Sequence, residues 1–335
     1  MGIVNKYLDK KSQRWGPLDI SVIVPLFNET DNIEILYQEL QSVLNDKIRL
    51  TYEIIFINDG STDDSLKVLE KIQAEDNRVI VIDFRRNFGQ TAAMSAGFDY
   101  ASGNVLITLD ADLQNDPNDI PKMLQKLNEG FDMVCGWRYH RQDRFISRRL
   151  PSIIANKLIS YITNIKLHDY GCTLKVFRKE IVDLINLYGE MHRFIPAIVS
   201  GKGAKIAEVK VNHRHRKYGD SKYGITRTPR VLLDLLTVKF LLDYSTRPIQ
   251  VFGLWGFICW LFGTSIFTWL VIQRQFFDVA LANRPMFLLS ILLIFIGLQF
   301  ITLGLLGELQ VRTYHETQEK PIYTVRKIIS SRDDS

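Results

Sequence analysis

The stretch LITLDADLQNDP, Leu106 to Pro117, decides how this chain is read. Apolar, partly β-branched residues lead in, and Asp110, Asp112 and Asp116 lead out, with Gln114 between the last two. A strand that stops in clustered acid is ordinarily a solvated turn, because Asp, Asn and Pro are turn formers. The same pattern can also hold a metal. Residues two apart on extended backbone leave the same side of a strand, so Asp110 and Asp112 are placed to grip one cation. Two carboxylates and the Gln114 amide are hard oxygen ligands, which suit Mg2+ or Mn2+ rather than zinc. Short acidic patterns match many unrelated chains, so the choice rests on what surrounds this one.

Further strands are expected at ISVIVPL from Ile20, EIIFIN from Glu53, VIVID from Val79, NVLITLD from Asn104 and DMVCG from Asp132. Between the first two, Ile33, Leu36, Tyr37, Leu40, Val43 and Leu44 follow helical spacing, with Asp31 and Glu34 placed as a capping box. Other helices are expected after GSTDDS and over Thr91 to Tyr100. This alternation predicts an α/β domain with a mainly parallel sheet between helices. Ligands of such sheets bind beyond the carboxyl ends of the strands. Those ends carry Asn28 and Glu29, then Asn58 and Asp59, then Asp110 and Asp112. Three polar strand ends facing one crevice are hard to attribute to three unrelated turns. Neither common Gly-rich phosphate loop is present, which argues against an ATPase or a dinucleotide enzyme.

A net charge of +5 over 335 residues is too mild to imply a nucleic-acid partner, and none is expected. The basic residues nevertheless cluster at Arg138, Arg141, Arg144, Arg148 and Arg149, just before LPSIIANKLISYI. Cys135, Cys172 and Cys259 have no metal-ligand spacing and read as free thiols in a reducing compartment. Met1 to Pro17 lacks the apolar core of a signal peptide. Pro248 to Gln273 and Pro285 to Gly307 carry no charge, and each exceeds or matches the roughly 20 residues that span a bilayer as a helix. The short link RQFFDVALAN makes them a hairpin. Lys239, Arg247, Arg312, Lys320, Arg326 and Lys327 flank its open side, against Arg274 and Arg284 in the link, offset by Asp278. The positive-inside rule then places the N-terminal region and the tail in the cytoplasm, at the cytoplasmic (inner) membrane.

Together, SVIVPLFNE, FINDGSTDDS, RRNFGQTAAMSAGF, LDADLQNDP, GWR, DYGCTLKVFR and RKYGDSKYG resemble the polyprenyl-phosphate glycosyltransferases of the GT-A glycosyltransferase family 2. That group includes dolichyl-phosphate mannose synthases and bactoprenol glucosyltransferases. The motifs cover Ile20 to Tyr223 in the family's order, and the two-span hairpin looks most like the bactoprenol branch. The Q-x-x-R-W motif of processive polymer synthases is absent; Gln13, Arg14 and Trp15 lie near the wrong terminus.

The resemblance implies that Asp110, Asp112 and Gln114 hold Mg2+ or Mn2+ on a nucleotide-sugar diphosphate. It implies that Pro25, Asn28, Glu29 and Asp59 line the nucleoside pocket, with Asp59 accepting a ring N–H of uracil or guanine. Arg138, with Arg148 and Ser152, would bind the acceptor phosphate, where guanidinium forks match phosphate oxygens; Arg149 stands beside Arg148 as an alternative. Arg141 and Arg144 read equally well as a solvated or headgroup-facing surface. Asp169 would face the active site, either as a base or orienting an arginine or the sugar. Arg216 and Lys222 would close over the diphosphate. His213 and His215, alternating on an expected strand, read as structural rather than as metal ligands.

The expected organisation is an N-terminal extension (1–19), a cytoplasmic GT-A (Rossmann-like) catalytic domain (20–224), a juxtamembrane amphipathic helix (225–247), two transmembrane helices (248–307) and a cytoplasmic tail (308–335). The leucine-rich face and basic residues of 225–247 suit the headgroup plane of membrane lipids. The expected reaction is inverting transfer of a hexose from UDP-glucose to undecaprenyl or another polyprenyl phosphate. GDP-mannose or a UDP-amino-sugar is the alternative donor, and an inactive scaffold or lipid-carrier translocation partner the alternative class. A homo-oligomer gathering four or more spans is a further expectation, although small-residue patterning in the apolar runs is modest.

Overall fold

The computed structural model describes residues 18–139, 159–160, 165–185, 187, 191–215, 249–277, 284–317 and 322–331. The expected juxtamembrane helix lies outside them. The chain divides into a unit built from both ends of the sequence and a second unit over Lys239–Glu319.

The first unit is an α/β sandwich. Its strands are β1 (Ile20–Leu26), β2 (Tyr52–Asn58), β3 (Val79–Phe84), β4 (Val105–Thr108), β5 (Met133–Arg138), β6 (Lys175–Arg178), β7 (Ile206–Val211) and β8 (Val325–Ile329). They form one sheet in the order β7-β5-β6-β4-β1-β2-β3-β8. Strands β1 to β3 are buried on both faces, which is why they read as unbroken Ile/Val runs. Helices α1 (Thr30–Ser42), α2 (Ser65–Glu75) and α4 (Ile120–Asn128) cover one face through Leu36, Leu40, Leu69, Met123 and Leu127. Helix α3 (Gln90–Tyr100) packs against β1 and β2; α5 (Lys179–Val182) and α6 (Ile195–Gly201) follow later in the chain.

The sheet is mainly parallel, as expected, and two strands run against the rest. β6 runs antiparallel between β4 and β5, and β8 runs antiparallel on the outer edge of β3. Part of the segment expected as a tail over 308–335 is thus an edge strand of the catalytic sheet. β8 is fastened by the Arg326 Nε to Asp83 contact of 2.6 Å and by Tyr323, which stacks on Phe84 at 5.2 Å and donates to Asp99 at 2.8 Å. The expected capping box of α1 does not form, since the helix starts earlier, with Glu29 at its N-cap position.

The second unit is a pair of helices, α7 (Ile249–Phe277) and α8 (Pro285–Thr317). Their apolar spans, Phe252–Phe276 and Pro285–Leu306, are about 37 and 33 Å long at 1.5 Å per residue, enough for a hydrocarbon core of about 30 Å. Only 17% and 11% of their most apolar windows is buried, whereas a core helix of a soluble protein would be mostly buried. Glycines bring the two helices together. A Cβ on Gly297 would lie 2.6 Å from the Gly256 carbonyl oxygen, and one on Gly263 would lie 2.8 Å from that of Ser290. Small residues thus serve contact within the hairpin.

Candidate active site

Strand β1 pairs with β2 on one side and β4 on the other, so successive connections leave it in opposite directions and open a crevice at the carboxyl ends. Pro25 stands beyond the last β1–β4 pair, Ile23 with Thr108, where a missing N–H is tolerated.

The acidic stretch enters this crevice after β4 has ended at Thr108. Asp110 and Asp112 are therefore not on extended strand as expected; they stand in a bend that turns through Leu113 at φ 61°. The bend still brings the two carboxylates close enough to interact strongly. Burial first, then the charge of Asp112, push the Asp110 carboxyl up to about 7, against the pull of a Thr173 hydrogen bond and of the Lys175 and Arg138 charges. Gln90 Nε2 donates to Asp110 Oδ1 at 2.7 Å. Two acids held in mutual repulsion at a half-buried rim are a donor set that a divalent cation would satisfy. Among the described residues no group of three His, Cys, Asp or Glu side chains could hold a metal. The pair thus fits a hard cation that takes its other oxygens from substrate and water. Gln114 follows in the same bend, its N–H donating to Asp112 Oδ1 at 3.2 Å and its carbonyl accepting from Arg214 N at 2.9 Å.

The third acid of the stretch does different work. Asp116 accepts from Asn118 N at the start of the next helical turn, from Asn212 Nδ2 at 3.1 Å and from Arg214 Nη2 at 2.7 Å. Arg214 also reaches Glu39 at 2.8 Å, and His213 bridges to Asn115 just past the end of β7. Asp116 is an anchor between the acidic bend and the chain after β7.

On the other side of β1, Asn28 (φ 53°) accepts from Thr62 N at 2.8 Å and donates through its own N–H to Ser61 Oγ at 2.9 Å. Glu29 N donates to Ser65 Oγ at 3.1 Å, and Thr30 N to Asp63 Oδ2 at 3.4 Å. The first turn of α1 thus draws its acceptors from GSTDDS, which joins two motifs far apart in sequence. Asp59 is buried and accepts from Phe88 N at 2.7 Å and Gly89 N at 2.9 Å. Burial pushes its carboxyl up, and those two amides and the Arg86 charge pull back. It therefore holds the loop after β3, a role not legible in the sequence. Gly60, at φ 68°, makes this possible, since a Cβ there would lie 2.4 Å from the Arg86 carbonyl carbon.

A cation whose charge reaches Asp110 is held at the end of β5. Arg138, the last residue of β5, donates Nε to Asp169 Oδ2 at 2.6 Å and Nη2 to Asp169 Oδ1 at 2.8 Å. The Arg138 side chain is 16% exposed and that of Asp169 is 3% exposed. Both Asp169 oxygens are committed to the guanidinium, the geometry of an orienting residue. Arg148, Ser152, Arg216 and Lys222, with Arg141, Arg144 and Arg149, lie outside the described residues.

The structure adds residues that the sequence reading passed over. Gln90 and Thr173 touch Asp110. Lys175 is buried, with Nζ on the carbonyls of Cys172 and Tyr170, and its charge reaches Asp110. All three sat inside the recognised motifs RRNFGQTAAMSAGF and DYGCTLKVFR, which was the available signal.

Comparison with known proteins identifies the family. Residues 21–185 match the model described as "Glycosyl transferase family 2". A dodecaprenyl-phosphate galacturonate synthase of Rhizobium johnstonii is 40% identical, the match covering 95% of each chain. An undecaprenyl-phosphate 4-deoxy-4-formamido-L-arabinose transferase of Klebsiella pneumoniae is 36% identical over 92% of this chain and 93% of its own. In fold the chain is similar to glucosyl-3-phosphoglycerate synthase from Mycobacterium tuberculosis, solved with Mn2+ and UDP-glucose, at TM-score 0.52 and 16% identity over 73% of this chain and 86% of that one. With two apolar spans and relatives that work on lipid phosphates, this is a membrane enzyme rather than an inactive scaffold, and the chain belongs to the polyprenyl-phosphate glycosyltransferases of glycosyl transferase family 2.

Proposed function

We propose that the chain transfers one hexose, with inversion, from a UDP-sugar to undecaprenyl or a similar polyprenyl phosphate, at the cytoplasmic face of the inner membrane. The observation that carries this reading is the nearness of the Arg138–Asp169 pair to the acids Asp110 and Asp112. Arg138 lies near enough to Asp110 to draw its pKa down, so a cation-seeking site and an anion-seeking site share one crevice.

In this reading Asp110, Asp112 and the Gln114 amide would hold Mg2+ or Mn2+ against the donor diphosphate. When bound, the ion offsets the charge that grows on the departing nucleoside diphosphate. Pro25, Asn28, Glu29 and Asp59 line the nucleoside side, where the remaining lone pairs of Asp59 accept the uracil N–H. Arg138, with Arg148 and Ser152, seats the acceptor phosphate, and Arg216 and Lys222 close over the diphosphate. A phosphate oxygen attacks the anomeric carbon from the face opposite the leaving diphosphate; the new carbon–oxygen bond forms as the sugar–diphosphate bond breaks. The acceptor has its second pKa near 6 and is largely dianionic at neutral pH, so Asp169 orients Arg138 and no general base is required.

UDP-glucose is the first donor to test. A galacturonate donor is the second, favoured by the relative that is 40% identical over 95% of both chains. The deciding experiment incubates purified protein with undecaprenyl phosphate and a panel of radiolabelled nucleotide sugars, GDP-mannose and UDP-amino-sugars included, and reads label in the lipid phase. Label from UDP-glucose supports the first reading, and label from UDP-galacturonate alone supports the second. No label from any donor refutes both.

A further inference from the structure

The pair formed by Arg138 and Asp169 joins a strand end to a loop, and loops do not hold charged groups to a fraction of an ångström unaided. A third residue supplies the constraint. Glu208 lies on β7, which pairs in parallel with β5 so that Cys135 faces Glu208 and Arg138 faces Val211. Its carboxylate accepts from His168 N at 3.0 Å (Oε1) and 3.1 Å (Oε2), from Asp169 N at 2.9 Å (Oε1), and meets His168 Nδ1 at 2.7 Å (Oε2). Two successive main-chain amides and one imidazole thus converge on one side chain that is 11% exposed.

The far side of this corner is fastened too. The His168 ring stacks on Trp137 at 4.0 Å and 12°, and Trp137 directly precedes Arg138 on β5. Lys210, two residues after Glu208, lies 5.3 Å from the Trp137 ring and 3.9 Å from that of Tyr139. Both members of the pair are therefore referenced to the same two strands, Arg138 by its place on β5 and Asp169 by Glu208 on β7. With its main-chain N–H turned toward Glu208, Asp169 directs its carboxylate at the guanidinium. Gly171 completes the corner: its N–H donates to Asp169 Oδ1 at 3.1 Å, and a Cβ there would lie 3.1 Å from Arg138 Nη2.

We infer that Glu208 is a positioning residue for acceptor-phosphate recognition, acting through the Asp169 main chain on the orientation of Arg138. This rests on the assignment of Arg138 to the acceptor phosphate. The role asks for carboxylate reach and acceptor oxygens more than for charge, which sets up a contrast between two conservative changes. Glu208→Asp keeps the charge but withdraws the oxygens by one methylene, on the order of 1.5 Å. Glu208→Gln keeps the reach and one acceptor oxygen.

The test measures initial rates of transfer with polyprenyl phosphate varied, and UDP binding by calorimetry, for wild type, both Glu208 variants and Arg138→Ala. Expected are an acceptor KM raised about tenfold in Glu208→Asp, a rise of less than about threefold in Glu208→Gln, and an unchanged Kd for UDP in both. If Glu208→Asp leaves the acceptor KM at the wild-type value while Arg138→Ala raises it, the inference is overturned and the acceptor assignment stands. If Arg138→Ala itself leaves that KM unchanged, the acceptor assignment fails first. Parallel loss of UDP binding and acceptor use in Glu208→Asp would assign the residue to general stability and also overturn the inference.

Discussion

Replacing Asp169 by Asn separates positioning from base catalysis. The Asn keeps one oxygen to accept from Arg138 but turns an amide nitrogen toward the other guanidinium N–H. One of the contacts at 2.6 and 2.8 Å is then lost, and the Arg138 guanidinium, 16% exposed, no longer faces the charge of Asp169. A hydrogen bond to a charged group contributes about 1.5 to 3 kcal/mol. At 1.4 kcal/mol per factor of ten, that is on the order of 10- to 150-fold. The loss should appear in the KM for polyprenyl phosphate, with kcat at saturating acceptor reduced far less and the Kd for UDP unchanged. A general base supplies about 100- to 10,000-fold in the chemical step itself, so a base role would instead collapse kcat and erase the acidic limb of its pH profile. Initial-rate kinetics in detergent micelles, with calorimetry for UDP, distinguish the two. A thousandfold fall in kcat at unaltered acceptor KM would refute the reasoning.

Further outcomes are expected. Asp112→Ala should abolish transfer while the protein stays folded and membrane-inserted, and excess chelator should do the same to wild type; activity surviving both would remove the metal assignment. Arg326→Ala should lower the melting temperature by several degrees, since it leaves the carboxylate of Asp83, 1% exposed, with the Asn58 amide but without its guanidinium partner; an unchanged melting curve would show that the Arg326–Asp83 pair contributes nothing to the fold. A reporter after Ser335 should read cytoplasmic and one near Ala282 should read on the opposite face; the reverse would separate the crevice from its nucleotide donor. Burial pushes the Cys135 thiol up to about 12 and that of Cys172 up to about 11, so neither should react with iodoacetamide at pH 8 until the protein is unfolded, as peptide mapping would show.

Much of the fold was legible because its signals are local. A strand buried on both faces must be written in apolar residues, and β1, β2 and β3 were found where the Ile/Val runs placed them. The two spans announced themselves for the same reason, since uncharged stretches longer than a bilayer is thick have few other uses. The motif set identified the family because the polar strand ends, Asn28, Asp59 and Asp110, recur in a fixed order along the chain.

Tertiary structure decided what depends on partners distant in sequence. Asp110, Asp112 and Asp116 look alike in the stretch, yet only the fold brings Arg214 and Asn212 to Asp116 and leaves the other two in mutual repulsion. Nothing local in Asp59 reports that the amides of Phe88 and Gly89 reach it across 29 and 30 positions. Val325–Ile329 is too short and too charged to declare itself a strand, and it becomes one because β3 offers an open edge. Periodicity records which face of an element is buried, whereas hydrogen-bond partners are assigned only when the chain has closed on itself; that is why the sequence by itself disclosed the apolar elements and the family, and the structure alone disclosed the added edge strand and which side chains hold which.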